Sequence, residues 1–274
     1  MSGGKYKGVK GHNQRQGLGR LRRANTTDPA RISGFERRDE EDELYDQLGS
    51  RSSATHGGES LLARFNRLAG VIQQEATGEP AEISGFSGTI TVVRDRAGIE
   101  IPCSVRQGLK KRIKGVKNPL CVGDAVTYEA AADGTGVITS VGPRRNQLER
   151  ADSHNRSLIH VFAANIDVLM VVSSLRDPEL KYGLIDRYLL IAAANRIPAC
   201  LVLNKCDLGD PSAALALYQG LGIACFATRA AQADPPDAGI ASLREHLRGK
   251  ACVIAGQSGV GKSSLVNALF PGTG

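Results

Sequence analysis

The eight residues Gly256-Gln257-Ser258-Gly259-Val260-Gly261-Lys262-Ser263 constrain this chain most, because they match GxxxxGK[ST] without a mismatch. The apolar run Ala251–Ala255 precedes them and the apolar-patterned stretch 262–269 follows, so the loop joins a strand to a helix. Glycines at these spacings let the backbone turn tightly enough for its N–H groups to face phosphate oxygens, and the helix N-terminus adds a favourable dipole. In such a loop Lys262 reaches the β- and γ-phosphates and the Ser263 hydroxyl ligates Mg²⁺. The plain alternative, a Gly/Ser-rich connection without a ligand, leaves the three constrained spacings and both flanks unexplained. A strand–loop–helix unit of this kind belongs to a parallel sheet covered by helices, and residues 151–274 supply the rest of one. The run 166–172 is nearly continuous in apolar residues, as a strand buried on both faces should be. Helices are expected at 184–195, 211–218 and 238–247, alternating with strands at 199–203 and 222–226.

Phosphates do not distinguish ATP from GTP, but Asn204-Lys205-Cys206-Asp207 can. It follows a buried strand and resembles the NKxD signature of GTPases. A carboxylate held edge-on accepts hydrogen bonds from guanine N1–H and its exocyclic amine, and adenine offers neither donor. Leaving that carboxylate unpaired costs roughly 1–3 kcal/mol, so Asp207 is the candidate specificity residue. The GTPase signature further implies that Asn204 braces the loop and touches guanine, while the Lys205 stem covers the base. A later S-A-K-like element falls at Ala227-Thr228-Arg229, with Thr228 where Ala is common. The same four residues weaken a reading as an ATPase or kinase.

The net charge of +7 is uneven: residues 1–150 hold 24 Lys+Arg against 18 Asp+Glu, leaving 11 against 10 for the remainder. A polyanionic partner for the N-terminal half follows, since cationic side chains release counterions from phosphates. Residues 1–58 carry charge blocks without apolar periodicity and read as a disordered charged tail, either merely solvated or an RNA-binding arm. Residues 59–83 read as an amphipathic helix and linker, with Leu61, Phe65, Leu68 and Ile72 on one face and packing as its function. Across 84–150 short strands at 88–94, 99–107, 125–129 and 136–141 suggest a small barrel. Arg106, Lys110, Lys111, Arg112, Lys114 and Lys117 form a cationic loop with no acidic residue between 101 and 123, suited to RNA or to ordinary surface charge. The six cysteines lack CxxC pairs and zinc-ligand spacing, so reduced core thiols and a cytoplasmic setting are expected. No apolar run approaches the roughly 20 residues of a membrane span, and the start lacks the apolar core of a secretory signal.

NKxD here precedes the phosphate loop by about fifty residues, the reverse of the ordinary GTPase order. With Arg144-Arg145-Asn146-Gln147-Leu148-Glu149-Arg150, Ala163-Ala164-Asn165-Ile166-Asp167 and Leu184-Ile185-Asp186-Arg187-Tyr188-Leu189, residues 84–274 resemble the RsgA family of ribosome small-subunit-dependent, circularly permuted GTPases. The resemblance implies an α/β P-loop GTPase domain at 151–274, permuted and incomplete, preceded by an all-β OB-fold-like RNA-binding barrel at 84–150. It implies GTP/GDP with Mg²⁺ as ligand, Lys262 as the catalytic residue, and Asn204, Lys205, Cys206, Asp207, Gly256, Gln257, Ser258, Gly259, Val260, Gly261, Lys262, Ser263 and Ser264 as the binding set. A cytoplasmic monomer that contacts the small ribosomal subunit and its rRNA late in maturation completes the expectation. Family members continue into switch segments and a Cys/His zinc module. The chain as written is therefore expected to lack zinc ligands, to bind nucleotide weakly with negligible turnover, and to leave the strand Ala251–Ala255 with an unpaired edge. The alternative is an RNA-binding barrel whose nucleotide domain is a non-catalytic remnant.

Overall fold

The computed structural model describes residues 31–34, 60–73, 77–112, 120–151, 159–230 and 237–271. In chain order it begins with β1 (Arg31–Gly34) and α1 (Leu61–Gln73). Phe65, Ala69 and Ile72 form the buried stripe of α1, which packs on a barrel core of Ile83, Val93, Cys103, Val126, Tyr128, Ile138 and Val141. Leu61 and Leu68 of the expected face stay half-exposed, because small Ala69 lets the helix approach with that side.

The barrel consists of β2 (Glu79–Ser87), β3 (Ile90–Asp95), β4 (Glu100–Val105), β5 (Ala125–Ala130) and β6 (Gly136–Val141), closed in the order β2-β3-β4-β6-β5. All its pairings are antiparallel except β4 with β6, which run parallel from Cys103 opposite Gly136. This is the OB-type arrangement, and closure leaves no free sheet edge. Two findings depart from the expectation. The strand β2 starts at Glu79, five residues before the expected barrel start, because pairing with β5 supplies ladder partners to a stretch lacking apolar alternation. Part of the expected cationic loop is helical, α2 (Gln107–Arg112), with Leu109 buried in the barrel core; residues 113–119 lie outside the described residues.

Much of the stretch after the barrel is buried despite its charge. Arg144 donates through Nε to Asp124 Oδ1 at 2.7 Å and through Nη2 to Asp124 Oδ2 at 2.8 Å, with side chains 1% and 0% exposed. Its guanidinium lies 3.7 Å from the Phe65 ring centroid, and its backbone is bracketed by the Asn66 amide at 2.7 and 2.8 Å. Removing one partner of such a buried pair costs about 3–5 kcal/mol, and the contacts of Arg144 with Phe65 and Asn66 tie α1 to the barrel. The antiparallel hairpin of β7 (Gln147–Ala151) and β8 (Ile159–Ala164) follows. Asp167 then accepts from Arg145 at 2.7 Å and from the Ala251 N–H at 2.8 Å, joining this region to the last strand of the sheet.

That sheet contains β9 (Val168–Ser174), β10 (Ala199–Asn204), β11 (Ala224–Ala227) and β12 (Ala251–Ala255), all parallel, in the order β1-β12-β9-β10-β11. The connecting helices are α3 (Tyr182–Ala194), α4 (Ser212–Gly220), α5 (Ala238–Leu247) and α6 (Lys262–Leu269). Side-chain alternation along β9 explains the layers: Leu169 and Val171 face α3 and α4, while Met170 and Val172 face α5 and α6. The last carbonyls of α6 are satisfied from α5, as Arg244 donates to Leu269 O and Ala268 O at 2.9 Å each. The α/β expectation therefore holds, with strands shifted by up to two residues.

One expectation is overturned. The outer edge of β12 is occupied by β1, from Arg31 opposite Ala251 to Gly34 opposite Ile254. A sheet edge requires only backbone donors and acceptors, so a four-residue segment without an apolar pattern can fill it. Residues 31–34 thus depart from the expected disordered tail, and the rest of 1–58 lies outside the described residues.

Candidate nucleotide-binding site

From β9 the chain moves outward through β10 to β11, then returns to the opposite side of β9 as β12. That reversal opens a crevice beyond the carboxyl ends of β9 and β12, where ligands of open α/β sheets bind. The phosphate-loop residues lie there. Gly256 leaves β12 with φ 155°, and a Cβ on it would sit 2.1 Å from the Val172 carbonyl oxygen, so only glycine allows the loop to start so close to β9. Lys262, the first residue of α6, is buried with its ammonium inside the loop, donating to Gly256 O at 2.6 Å and Gln257 O at 2.9 Å. Ser258, Gly259, Ser263 and Ser264 are exposed at the mouth, Gln257 is half-buried, and the Val260 side chain is buried under α6.

The second arm leaves β10. Asn204 is 2% exposed and uses its whole amide: Nδ2 donates to Val260 O at 2.9 Å, while Oδ1 accepts from Thr228 Oγ1 at 3.1 Å and Ala230 N at 3.0 Å. One side chain thus staples three loops, separated by up to 56 residues, into one mouth. Gly261 is required for this contact. Its φ is 92°, and a Cβ there would approach Asn204 Nδ2 to 2.4 Å. Lys205 follows with φ 58°, its ammonium donating to the Asp177 carbonyl. Asp207 is exposed and makes no hydrogen bond or ion pair among the described residues, which leaves its carboxylate available to a base edge.

Cys206 enters the site only through its backbone, whose N–H donates to Thr228 O at 3.1 Å. Its thiol turns inward toward Leu203 O at 3.0 Å, and burial pushes its pKa up. Sequence reasoning aligned Thr228 with a guanine contact. The structure buries it at 1% exposure and spends its hydroxyl on Asn204, so its side chain braces the loop. Asp237 holds this stretch, accepting from the Arg229 N–H while capping α5 through Gly239 N at 2.8 Å. A hydroxyl residue directly after a short strand was the available signal for a brace, but nothing local named its partner.

Residues 141–274 match the family model described as RsgA GTPase. The chain is 34% identical over 194 residues to the small ribosomal subunit biogenesis GTPase RsgA of Bacteroides fragilis, covering 68% of this chain and 61% of that protein. Among solved structures it resembles YjeQ from Thermotoga maritima, with a TM-score of 0.58 at 33% identity, covering 71% of this chain and 66% of that one. It also resembles YloQ, titled a circularly permuted GTPase, with a TM-score of 0.55 at 27% identity, covering 70% and 64% respectively. The chain spans about three fifths of the length of the curated relatives it matches.

Proposed function

Because residues 141–274 match the RsgA GTPase family model, we propose that the chain is a guanine-nucleotide-binding factor of that family that hydrolyses GTP in the late maturation of the small ribosomal subunit. The observation that carries this reading is the Asn204 staple, which joins the loop suited to a base to the loop suited to phosphates at 2.9 Å. In this reading Asp207 accepts from the guanine edge, Lys205 covers the base face, and residues 256–264 surround the phosphates. Lys262 is the catalytic residue, its charge countering the negative charge that develops on the transferring phosphoryl group. Mg²⁺ would supply positive charge that offsets the charge of the phosphates. Ser263, exposed in the first turn of α6, is the side chain that would hold it. Among the described residues no group of three or more His, Cys, Asp and Glu could hold a metal.

The ribosomal part of the proposal is supported by the name of the Bacteroides fragilis relative and by the basic N-terminal half of this chain. Residues 84–150 act as the RNA-binding unit and 151–274 as the nucleotide unit, in a cytoplasmic monomer. No helix among the described residues is long and apolar enough to cross a membrane.

Displacement of a fluorescent GDP analogue tests the nucleotide reading. GDP is expected to compete roughly 5- to 150-fold better than ADP, since adenine leaves the Asp207 carboxylate unpaired at about 1–3 kcal/mol; equal competition by ADP sinks it. Co-sedimentation with small subunits at rising salt tests the RNA contact. Binding should fall steeply as counterion release loses its value, and a flat salt response counts against it.

A further inference from the structure

The site has a third wall that neither the phosphate motif nor NKxD describes. Residues 175–181 leave the carboxyl end of β9, the strand flanked by β12 and β10 at the point where the strand order reverses. This loop touches both arms. The Asp177 carbonyl accepts from the Lys205 ammonium on the base side. Leu175 Cδ1 lies 3.9 Å from a Cβ built on Gly209, just beyond Asp207. On the phosphate side, Pro178 Cδ lies 3.5 Å from a Cβ built on Gly259.

Ser174 holds the loop. It is the last residue of β9, 0% exposed and in register with Asn204 of the neighbouring strand. Its hydroxyl donates to the Pro178 carbonyl at 2.7 Å, closing residues 174–178 into a compact turn that turns the Asp177 carbonyl toward Lys205. A lysine stem has several rotatable bonds, so one lying over a base must be held at its far end or lose contact to side-chain entropy. We propose that Ser174 is a positioning residue for nucleotide binding: through the 175–181 loop it fixes the Lys205 ammonium on Asp177 O, so that the lysine stem forms a preset cover for the base. The inference rests on the guanine-nucleotide reading above and adds the element that orients one of its ligand-contacting side chains.

A double-mutant cycle on the full chain tests it, with a fluorescent GDP analogue as the probe. Ser174→Ala removes the tie, and Pro178→Gly, at a half-exposed position, loosens the same turn should the buried variant fold poorly. Each is expected to raise the GDP dissociation constant by roughly 5- to 10-fold in the wild-type background, chiefly through faster release, and by less than about 2-fold once Lys205→Ala is present. Equal losses in both backgrounds overturn the positioning role, because a merely structural effect would add to the loss of Lys205. Unchanged affinity in both single variants overturns it as well. A wild-type chain that binds no GDP sinks the nucleotide reading together with this one, whereas binding with additive losses sinks this inference alone.

Discussion

The two ends of the crevice are built on opposite principles. The phosphate end lies within nine consecutive residues, 256–264, and its lysine is held by carbonyls five and six residues away. The base end is assembled from segments around 177, 204–207 and 228–230, linked by side chains that reach 24 to 56 residues along the chain. A contiguous site keeps its geometry through local backbone conformation. A composite one depends on every loop that contributes a contact, and fails by degrees as each is lost.

Four substitutions can break or sharpen that contrast. Lys262→Ala should be the most damaging, weakening GTP binding by about 100-fold or more, since a buried charge-assisted contact to phosphate is worth about 3 kcal/mol. Isothermal titration measures it, and a change below about 5-fold would contradict a phosphate role for Lys262. Gly261→Ala attacks the junction of the two ends, because the added methyl meets Asn204 Nδ2 at 2.4 Å on a backbone with φ 92°. A cost of about 1–3 kcal/mol should appear both as a lower melting temperature and as weaker GDP binding; an unchanged melting temperature would mean that the staple is dispensable. Asp207→Asn separates recognition from stability. The carboxylate is exposed and unpaired among the described residues, so melting should not move while the preference for GDP over ADP falls by roughly 10-fold in competition binding. Thr228→Ala is the mildest change. It removes one of the two donors to Asn204 Oδ1 and should cost about 1 kcal/mol in GDP affinity; a loss as large as that of Lys262→Ala would show Thr228 to be more than a brace.

How much was legible follows from the same contrast. The elements around the phosphate loop, Ala251–Ala255 and Lys262–Leu269, have the bounds their apolar patterns predict, because strand and helix periodicity are properties of neighbouring residues. The strand Glu79–Ser87 was missed, since Pro80, Glu82 and Gly85 interrupt any alternation and the pairing with β3 and β5 carries it instead. Nothing in the residues around Arg144 and Asn146 marks the two as buried. Their burial is possible only because Asp124, Phe65 and the backbone of Ile166 come from elsewhere to satisfy them.

By itself the sequence determined that a phosphate loop joins a strand to a helix, that a guanine-type signature precedes it, and that a basic barrel comes before both. Each of these is written in consecutive residues, so backbone propensity and spacing are enough to express it. The tertiary structure alone decided that Asn204 staples the two loops, that residues 175–181 wall the crevice, and that Arg31–Gly34 covers the edge of β12. Those outcomes depend on which strand ends a reversing sheet order brings side by side, and contacts between segments tens of residues apart leave no periodic trace along the chain.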